Sequence, residues 1–325
     1  MHILLMYSLA PPSPAHIERL RGLRDGLEVI VAMDEATAMD ASTGAEVILG
    51  HRFLRQCLPV AHRLRWVQTS AQGVDRLPLA ELAAGSVTLT RSTLDADTVA
   101  AHAVALAWSL ARAIPEACRH QWAQIWETRL GFAPLPRRAL VLGQGAIGQA
   151  IARRLDAQGI LVSCARRQPM DLPPGSPCSE LLIGDAWRSV LDRADWCFLA
   201  LPHTAETTQL FDERALRALP PHAILVNVGR GETLDTVALR QVLDDGHLAG
   251  VGLDVVEPEP LPAEHPLWQA PRTLITPHVA SHHPQRNQQV ERFFERQVAR
   301  YLAGEPLSDV VDLQSKTNDS AEGRR

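Results

Sequence analysis

Val141-Leu142-Gly143-Gln144-Gly145-Ala146-Ile147-Gly148 leads from the apolar run Ala139–Leu142 into the helical pattern QAIARRLDAQG of residues 149–159. In this spacing Gly143 permits a tight turn at the strand end. Gly145 lets a pyrophosphate approach the backbone, and Gly148 lets helix and strand pack closely. The helix opening at Ala146 and Ile147 offers N–H donors and a favourable dipole to phosphate oxygens. A lone G-x-G-x-x-G also marks plain tight turns in α/β proteins. The strand before it, the helix after it and a second strand, Ile160-Leu161-Val162-Ser163-Cys164-Ala165, turn the reading toward dinucleotide binding.

Where that second strand ends, an NAD enzyme places Asp or Glu to accept from the adenosine ribose hydroxyls. Here stand Arg166 and Arg167. Two guanidiniums without a carboxylate suit a 2′-phosphate, which Arg binds bidentately, so the expected cofactor is NADP (NADPH) in preference to NAD.

Working outward, further strand candidates follow the motif: WCFLALP, AILVNVG, GVGLDVV and TLITPHV. The first hundred residues show the same alternation of apolar runs and amphipathic stretches, in HILLMYS, EVIVAM, EVILG, LRWVQTS and VTLT. Such alternation predicts an α/β chain with two doubly wound parallel-sheet domains, a Rossmann cofactor domain and a flavodoxin-like substrate domain. The expected division is 1–98 for the substrate domain and 99–284 for the cofactor domain. A late amphipathic helix within 285–312 docks back on the first domain, and 313–325 is expected to be a disordered tail.

With 325 residues, 46% of them apolar and 21% charged, the chain is long enough for two cores. A formal charge of -5 argues against the basic face that a nucleic-acid binder needs. The N-terminus MHILLMYSLAPPSP has no cationic n-region, so a cytoplasmic location is expected. The apolar stretch 97–114 carries Asp97, His102 and Arg112, which favours a buried helix over a membrane span. Five cysteines without a C-x-x-C pair make a disulfide framework or a zinc site an unfavoured reading. His282 and His283, lacking a clustered carboxylate or cysteine, call for no metal. Trp122 and Trp126, at i and i+4, have ordinary core spacing, although they could also border a substrate pocket.

Three later segments each put an ionisable residue in the loop after a strand, the edge where open α/β sheets bind ligands. They are Asn227-Val228-Gly229-Arg230-Gly231, then Asp254-Val255-Val256-Glu257-Pro258-Glu259-Pro260, then Thr276-Pro277-His278-Val279-Ala280. Singly, each residue reads equally well as a surface ion pair, a loop acid or a core histidine; their joint order carries the signal. Together they resemble the D-isomer-specific 2-hydroxyacid dehydrogenases, and the resemblance runs from Leu64-Arg65-Trp66-Val67-Gln68-Thr69-Ser70 through Ala280. It implies a catalytic trio of Arg230, Glu259 and His278, with Asp254 holding the nicotinamide amide. It also implies that Ala71-Gln72-Gly73-Val74-Asp75 cradles the substrate carboxylate, so Gln72 and Gly73 join Arg230 in substrate binding. Pro202 and Thr207, in a loop like the family's cofactor-facing one, and Val228 would meet the cofactor, although Thr207 also reads as a helix N-cap. An interdomain site and a homodimer belong to the same implication.

The chemistry suits these residue types. Reducing a 2-keto acid requires a group to hold the carboxylate, a group to polarise the carbonyl and a proton donor for the developing alkoxide. The rigid fork of Arg230 serves the first two needs. His278 is the natural acid, and Glu259 beside it would favour the imidazolium. The expected substrate is a small 2-keto acid, glyoxylate- or hydroxypyruvate-like or bulkier, reduced to the 2-hydroxy acid; neither nucleic acid nor membrane is expected as a partner. A dinucleotide-sensing, corepressor-like binding protein is the competing class; the trio does not separate the two, and the lack of a long interaction tail disfavours the regulator. The pattern breaks in two places. Thr90-Arg91-Ser92-Thr93-Leu94-Asp95 replaces an Asn-x-x-Gly stretch, and Ala100-Ala101-His102 replaces an Ala-Glu-His triplet. Both departures bear on substrate identity more than on reaction type.

Overall fold

The apolar runs pair in two separate sheets. The computed structural model describes residues 1–8, 10–172 and 174–314. Its contacts divide into two compact units, Met1–Asp95 with the segment from His283 onward, and Ala96–His282.

In the first unit, β1 (His2–Met6), β2 (Glu28–Val31), β3 (Val47–Gly50), β4 (Trp66–Gln68) and β5 (Thr88–Thr90) form a parallel sheet in the order β2-β1-β3-β4-β5. The helices α1 (Pro14–Arg21), α2 (Glu35–Ser42), α3 (Leu54–Cys57) and α4 (Leu79–Ala84) lie on the connections. Ser13 accepts from the His16 N–H, with Pro14 next in the helix, and the Asp34 carboxylate accepts from the Thr37 N–H; these caps start α1 and α2. Successive side chains of β1 feed opposite faces. Leu4 and Met6 enter one core, with Ile48 and Val67, while Ile3 and Leu5 enter the other, with Trp66. A strand buried on both faces therefore reads as an unbroken apolar run.

The helix Arg286–Leu302 closes that second core with Val290, Phe293, Phe294 and Val298. A buried polar clamp fastens it to α1. The Tyr7 hydroxyl lies 2.7 Å from His16 Nε2, and His16 Nδ1 lies 2.7 Å from Glu295 Oε1, which also accepts from Arg19 Nε at 2.8 Å. Glu295 only accepts, so His16 Nδ1–H donates to it and Nε2 accepts from the Tyr7 hydroxyl. Burial raises the phenol's pKa well above its ordinary value, and Glu291 and Glu295 add to the effect. Leu313 packs against the first core, and the expected tail lies, from residue 315 on, outside the described residues.

The second unit holds β6 (Arg138–Leu142), β7 (Leu161–Arg166), β8 (Glu180–Ile183), β9 (Trp196–Leu199), β10 (Ile224–Asn227), β11 (Gly250–Leu253) and β12 (Thr273–Ile275). They form a parallel sheet in the order β12-β11-β10-β9-β6-β7-β8. Around it lie α5 (Ala96–Ala111), α6 (Ile114–Trp122), α7 (Ala146–Asp156), α8 (Glu213–Ala218) and α9 (Thr236–Asp244). Strand β8 is absent from the sequence reading because Glu180-Leu181-Leu182-Ile183 is too short a run to stand out. No helix among the described residues is long and apolar enough to cross a membrane.

Two expectations are corrected. Trp122 and Trp126 are 86% and 97% exposed, not core residues. Helix α6 ends at Trp122 and Gln124 takes φ 57°, so the two indoles do not share a helical face. Cys164 and Cys178 are joined in a disulfide, which local cysteine spacing does not reveal. The register of β7 with β8 sets Leu181 opposite Cys164; the disulfide is made from the segment just before β8, where the Ser179 N–H donates to Val162 O.

Glu295→Ala should strip the acceptor from buried His16 and from Arg19. We expect a loss of about 2–3 kcal/mol, seen as a lower urea midpoint.

Candidate active site

Strands β10, β11 and β12 end in register, Asn227 beside Leu253 and Leu253 beside Ile275, so their following loops emerge together. After β10, the Asn227 side chain shapes the turn: its Oδ1 accepts from Gly229 N at 3.0 Å and its Nδ2 donates to Arg230 O at 2.9 Å. Arg230 Nη1 donates to Gly229 O at 2.8 Å, which fixes one arm of the guanidinium.

After β11 comes Asp254, only 2% exposed. Its Oδ1 accepts from Thr276 Oγ1 at 2.7 Å and Val279 N at 3.0 Å, and its Oδ2 accepts from Ala280 N at 3.1 Å. Its main-chain carbonyl accepts the His278 N–H at 2.8 Å. A buried carboxylate must be satisfied in this way to stay charged. The result is a turn, 276–280, wrapped on one acid, in which His278 sits at φ 52° in the left-handed region.

The imidazole of His278 is half-exposed, with Nδ1 3.0 Å from Glu259 Oε2. Glu259 Oε1 accepts from Val256 N at 3.3 Å. The hydrogen bond to Glu259 raises the pKa of His278 and partial burial opposes it; the charges of Glu259 and Asp254 raise it further, and that of Arg230 lowers it. The pair holds a proton on Nδ1 and leaves Nε2 to exchange one with a substrate. The structure thus brings Arg230, Asp254, Glu259 and His278 to one edge. Among the described residues no group of three His, Cys, Asp or Glu side chains could hold a metal ion.

Along the same edge the sheet order reverses between β9 and β6, the switch point where α/β sheets open a crevice. Gly143, at φ 102°, turns the chain out of β6. A Cβ on Gly148 would overlap the Gly143 carbonyl, whereas one on Gly145 would meet nothing within 4 Å and would fill the cradle over the first turn of α7. The first-turn N–H groups of Ala146, Ile147 and Gly148 have no acceptor within the helix. These residues fit a dinucleotide pyrophosphate.

Arg166 ends β7, and Arg167 Nη1 lies 2.9 Å from Glu206 Oε2. Sequence reading missed Glu206, because only the fold carries the 203–208 loop to β7. Thr207 Oγ1 donates to Pro202 O at 2.7 Å and accepts from Thr204 N at 2.8 Å, so this hydroxyl is engaged inside its own loop. Val228 is buried, its N–H on Leu199 O.

Gln72 and Gly73 belong to the first unit, in the loop after β4. Gln72 Oε1 is buried with no hydrogen-bond partner among the described residues. Nearby, His51 Nδ1 lies 2.7 Å from Thr69 Oγ1, and burial, aided by the charge of Arg286, lowers its pKa. His51 was also missed; no motif points to it. Asp95, in the segment that departs from the resemblance, is held by Arg286 through both carboxylate oxygens.

A family profile for the D-isomer specific 2-hydroxyacid dehydrogenase, NAD binding domain, matches residues 104–280. A glyoxylate reductase of Korarchaeum cryptofilum is 32% identical over 265 residues, 78% of each chain. A D-3-phosphoglycerate dehydrogenase of Mycobacterium leprae is 30% identical over 89% of this chain, which spans 53% of that relative's length. Among solved structures, a D-isomer specific 2-hydroxyacid dehydrogenase from Xanthobacter autotrophicus in complex with NADPH and MES aligns with a TM-score of 0.80. It is 28% identical and the match covers 97% of this chain and 98% of that one.

Glu259→Gln should return the His278 titration downward toward the ordinary histidine range, because the leading cause of its elevation is removed. Histidine-resolved NMR across pH checks this; an unchanged midpoint would mean that another group carries the shift.

Proposed function

This chain belongs to the D-isomer specific 2-hydroxyacid dehydrogenase family, and we propose that it reduces a small 2-keto acid to the D-2-hydroxy acid with NADPH preferred over NADH. The observation that carries this reading is the His278–Glu259 pair at 3.0 Å, with the charge of Arg230 bearing on it. A reduced nicotinamide dinucleotide, when bound, supplies the hydride. The protein's own residues do the rest. Arg230 holds the substrate carboxylate and draws charge toward the keto oxygen. His278, kept protonated by Glu259, delivers a proton from Nε2 to that oxygen as it becomes an alkoxide. Gln72 and Gly73 offer backbone N–H groups to the carboxylate. Asp254 would hold the nicotinamide amide, Pro202, Thr207 and Val228 would meet the cofactor, and Gly143, Gly145, Ala146, Ile147 and Gly148 would cradle its pyrophosphate.

Arg166 and Arg167, with no acid at the end of β7, support the NADPH preference, as does the NADPH-bound relative. Glu206 is then the partner that a 2′-phosphate displaces from Arg167; an exposed pair of this kind is weak enough to yield. The glyoxylate reductase relative supports glyoxylate as a substrate; hydroxypyruvate belongs to the same class of small keto acids, and a bulkier keto acid fits the altered 90–95 segment. The exposed indoles of Trp122 and Trp126 and the exposed Phe132 support a homodimer, since an interface would cover large apolar side chains that otherwise face water. A cytoplasmic location completes the reading.

Replacing Arg166 and Arg167 together by Ala should raise the KM for NADPH by about a hundredfold while that for NADH stays nearly constant. An equal change for both cofactors would remove the 2′-phosphate argument. His278→Ala should lower kcat by about a thousandfold while NADPH still binds. In the intact protein, kcat/KM for the keto acid should be level at low pH and fall above the raised pKa of His278, because the imidazolium is the reactive form. Glu259→Gln should move that fall to lower pH, as stopped-flow measurement across pH would show.

A further inference from the structure

Helix α5 carries a histidine that the reaction as derived does not use. His102 belongs to the Ala100-Ala101-His102 segment, and its side chain is about a quarter exposed. Its Nε2 lies 2.9 Å from Thr276 Oγ1 and 3.5 Å from Asp254 Oδ1. We propose that His102 is a positioning residue for the acid–base histidine, acting through Thr276 and Asp254. This rests on the reading of His278 as the proton donor.

The direction of the hydrogen bonds makes the case. An ionised carboxylate only accepts, so the single hydroxyl proton of Thr276 goes to Asp254 Oδ1 at 2.7 Å. Toward His102 the same oxygen can then only accept, and His102 Nε2 must carry a proton. The chain therefore runs one way, from His102 to Thr276 to Asp254, each bond polarising the next. Asp254 in turn anchors the N–H groups of Val279 and Ala280, the two residues after His278, and its carbonyl takes the His278 N–H. A non-glycine residue keeps a left-handed backbone only when its surroundings hold it there, and here the holding group is one acid.

Losing the His102 donor frees the Thr276 hydroxyl to rotate and leaves Asp254 with one fewer fixed partner. The turn slackens and the Nδ1 contact of His278 with Glu259 lengthens. Among the described residues His102 makes its polar contacts with Thr276 and Asp254, and its influence on the acid passes through them. The charged groups bearing on His278 are Glu259, Asp254 and Arg230. Of these, Asp254 is the one His102 touches.

The test compares His102→Ala and Thr276→Val with the rescuing variants His102→Gln, which keeps an N–H donor, and Thr276→Ser, which keeps the hydroxyl. In the full chain labelled at histidine, the NMR titration of His278 is followed beside kcat for keto acid reduction and KM for NADPH. Removal of either donor should lower kcat about tenfold with KM for NADPH changed by less than about twofold. The His278 midpoint should move toward the ordinary range, and both rescuing variants should restore kcat and midpoint. An unmoved midpoint with undiminished kcat, or a loss shared equally with NADPH binding and not rescued by Gln or Ser, would overturn the proposal. Should the intact protein reduce no keto acid, the reductase reading fails by itself, while the His278 midpoint in the four variants still decides the positioning role.

Discussion

Parallel strands all point one way, and the second unit is organised by that constraint. A parallel pair cannot be joined by a hairpin; the chain must cross back through a helix or long loop before the next strand begins. Every carboxyl end of its seven strands therefore opens on the same edge, and each loop there is free of the need to make a tight return. The order β12-β11-β10-β9-β6-β7-β8 adds a reversal between β9 and β6, where neighbouring connections leave on opposite faces. The glycine turn after β6 stands at this reversal. The arginine, acid and histidine loops stand on the strands from β10 onward. A one-residue slip in the pairing of β10 with β11 would invert which side chains face each core, so the apolar alternation that fills the two cores also keeps the arginine, acid and histidine loops aligned.

Within that frame the buried carboxylate of Asp254 is the costly element. Bringing a charge out of water is unfavourable unless its oxygens are fully met, and here a hydroxyl and two backbone N–H groups meet them. The return is mechanical: one acid at the end of β11 gathers the turn after β12 and sets the backbone from which His278 projects. Glu259, on the same loop as Asp254, meets the imidazole from the other side. Two carboxylates of one loop thus do different work, one buried and structural, the other partly exposed and protonically coupled to the histidine.

What could be read from the chain alone is what local spacing records. The glycine turn, the strands that follow it, the arginine pair and the three loop motifs all lie within short stretches, and each has a physical reason for its order. The unread features depend on partners far apart in the chain. Cys164 on β7 meets Cys178 only because the chain returns beside β7 on its way into β8. Glu206 reaches Arg167 only because the loop after β9 lies beside the end of β7. His102 and Thr276 are separated by 174 positions, and nothing in Ala100-Ala101-His102 announces the contact. Trp122 and Trp126 show the opposite error, since a helical spacing has meaning only where the helix continues, and α6 stops at the first of them.

The central claim is that this edge turns over a 2-keto acid and is not solely a dinucleotide-binding surface. The most direct measurement incubates the intact protein with NADPH and a series of keto acids from glyoxylate upward, following loss of the reduced nicotinamide and resolving the chirality of the product. The account predicts NADPH consumption with at least one of them and a hydroxy acid of D configuration. Tight NADPH binding without consumption by any keto acid, or an L product, would contradict it.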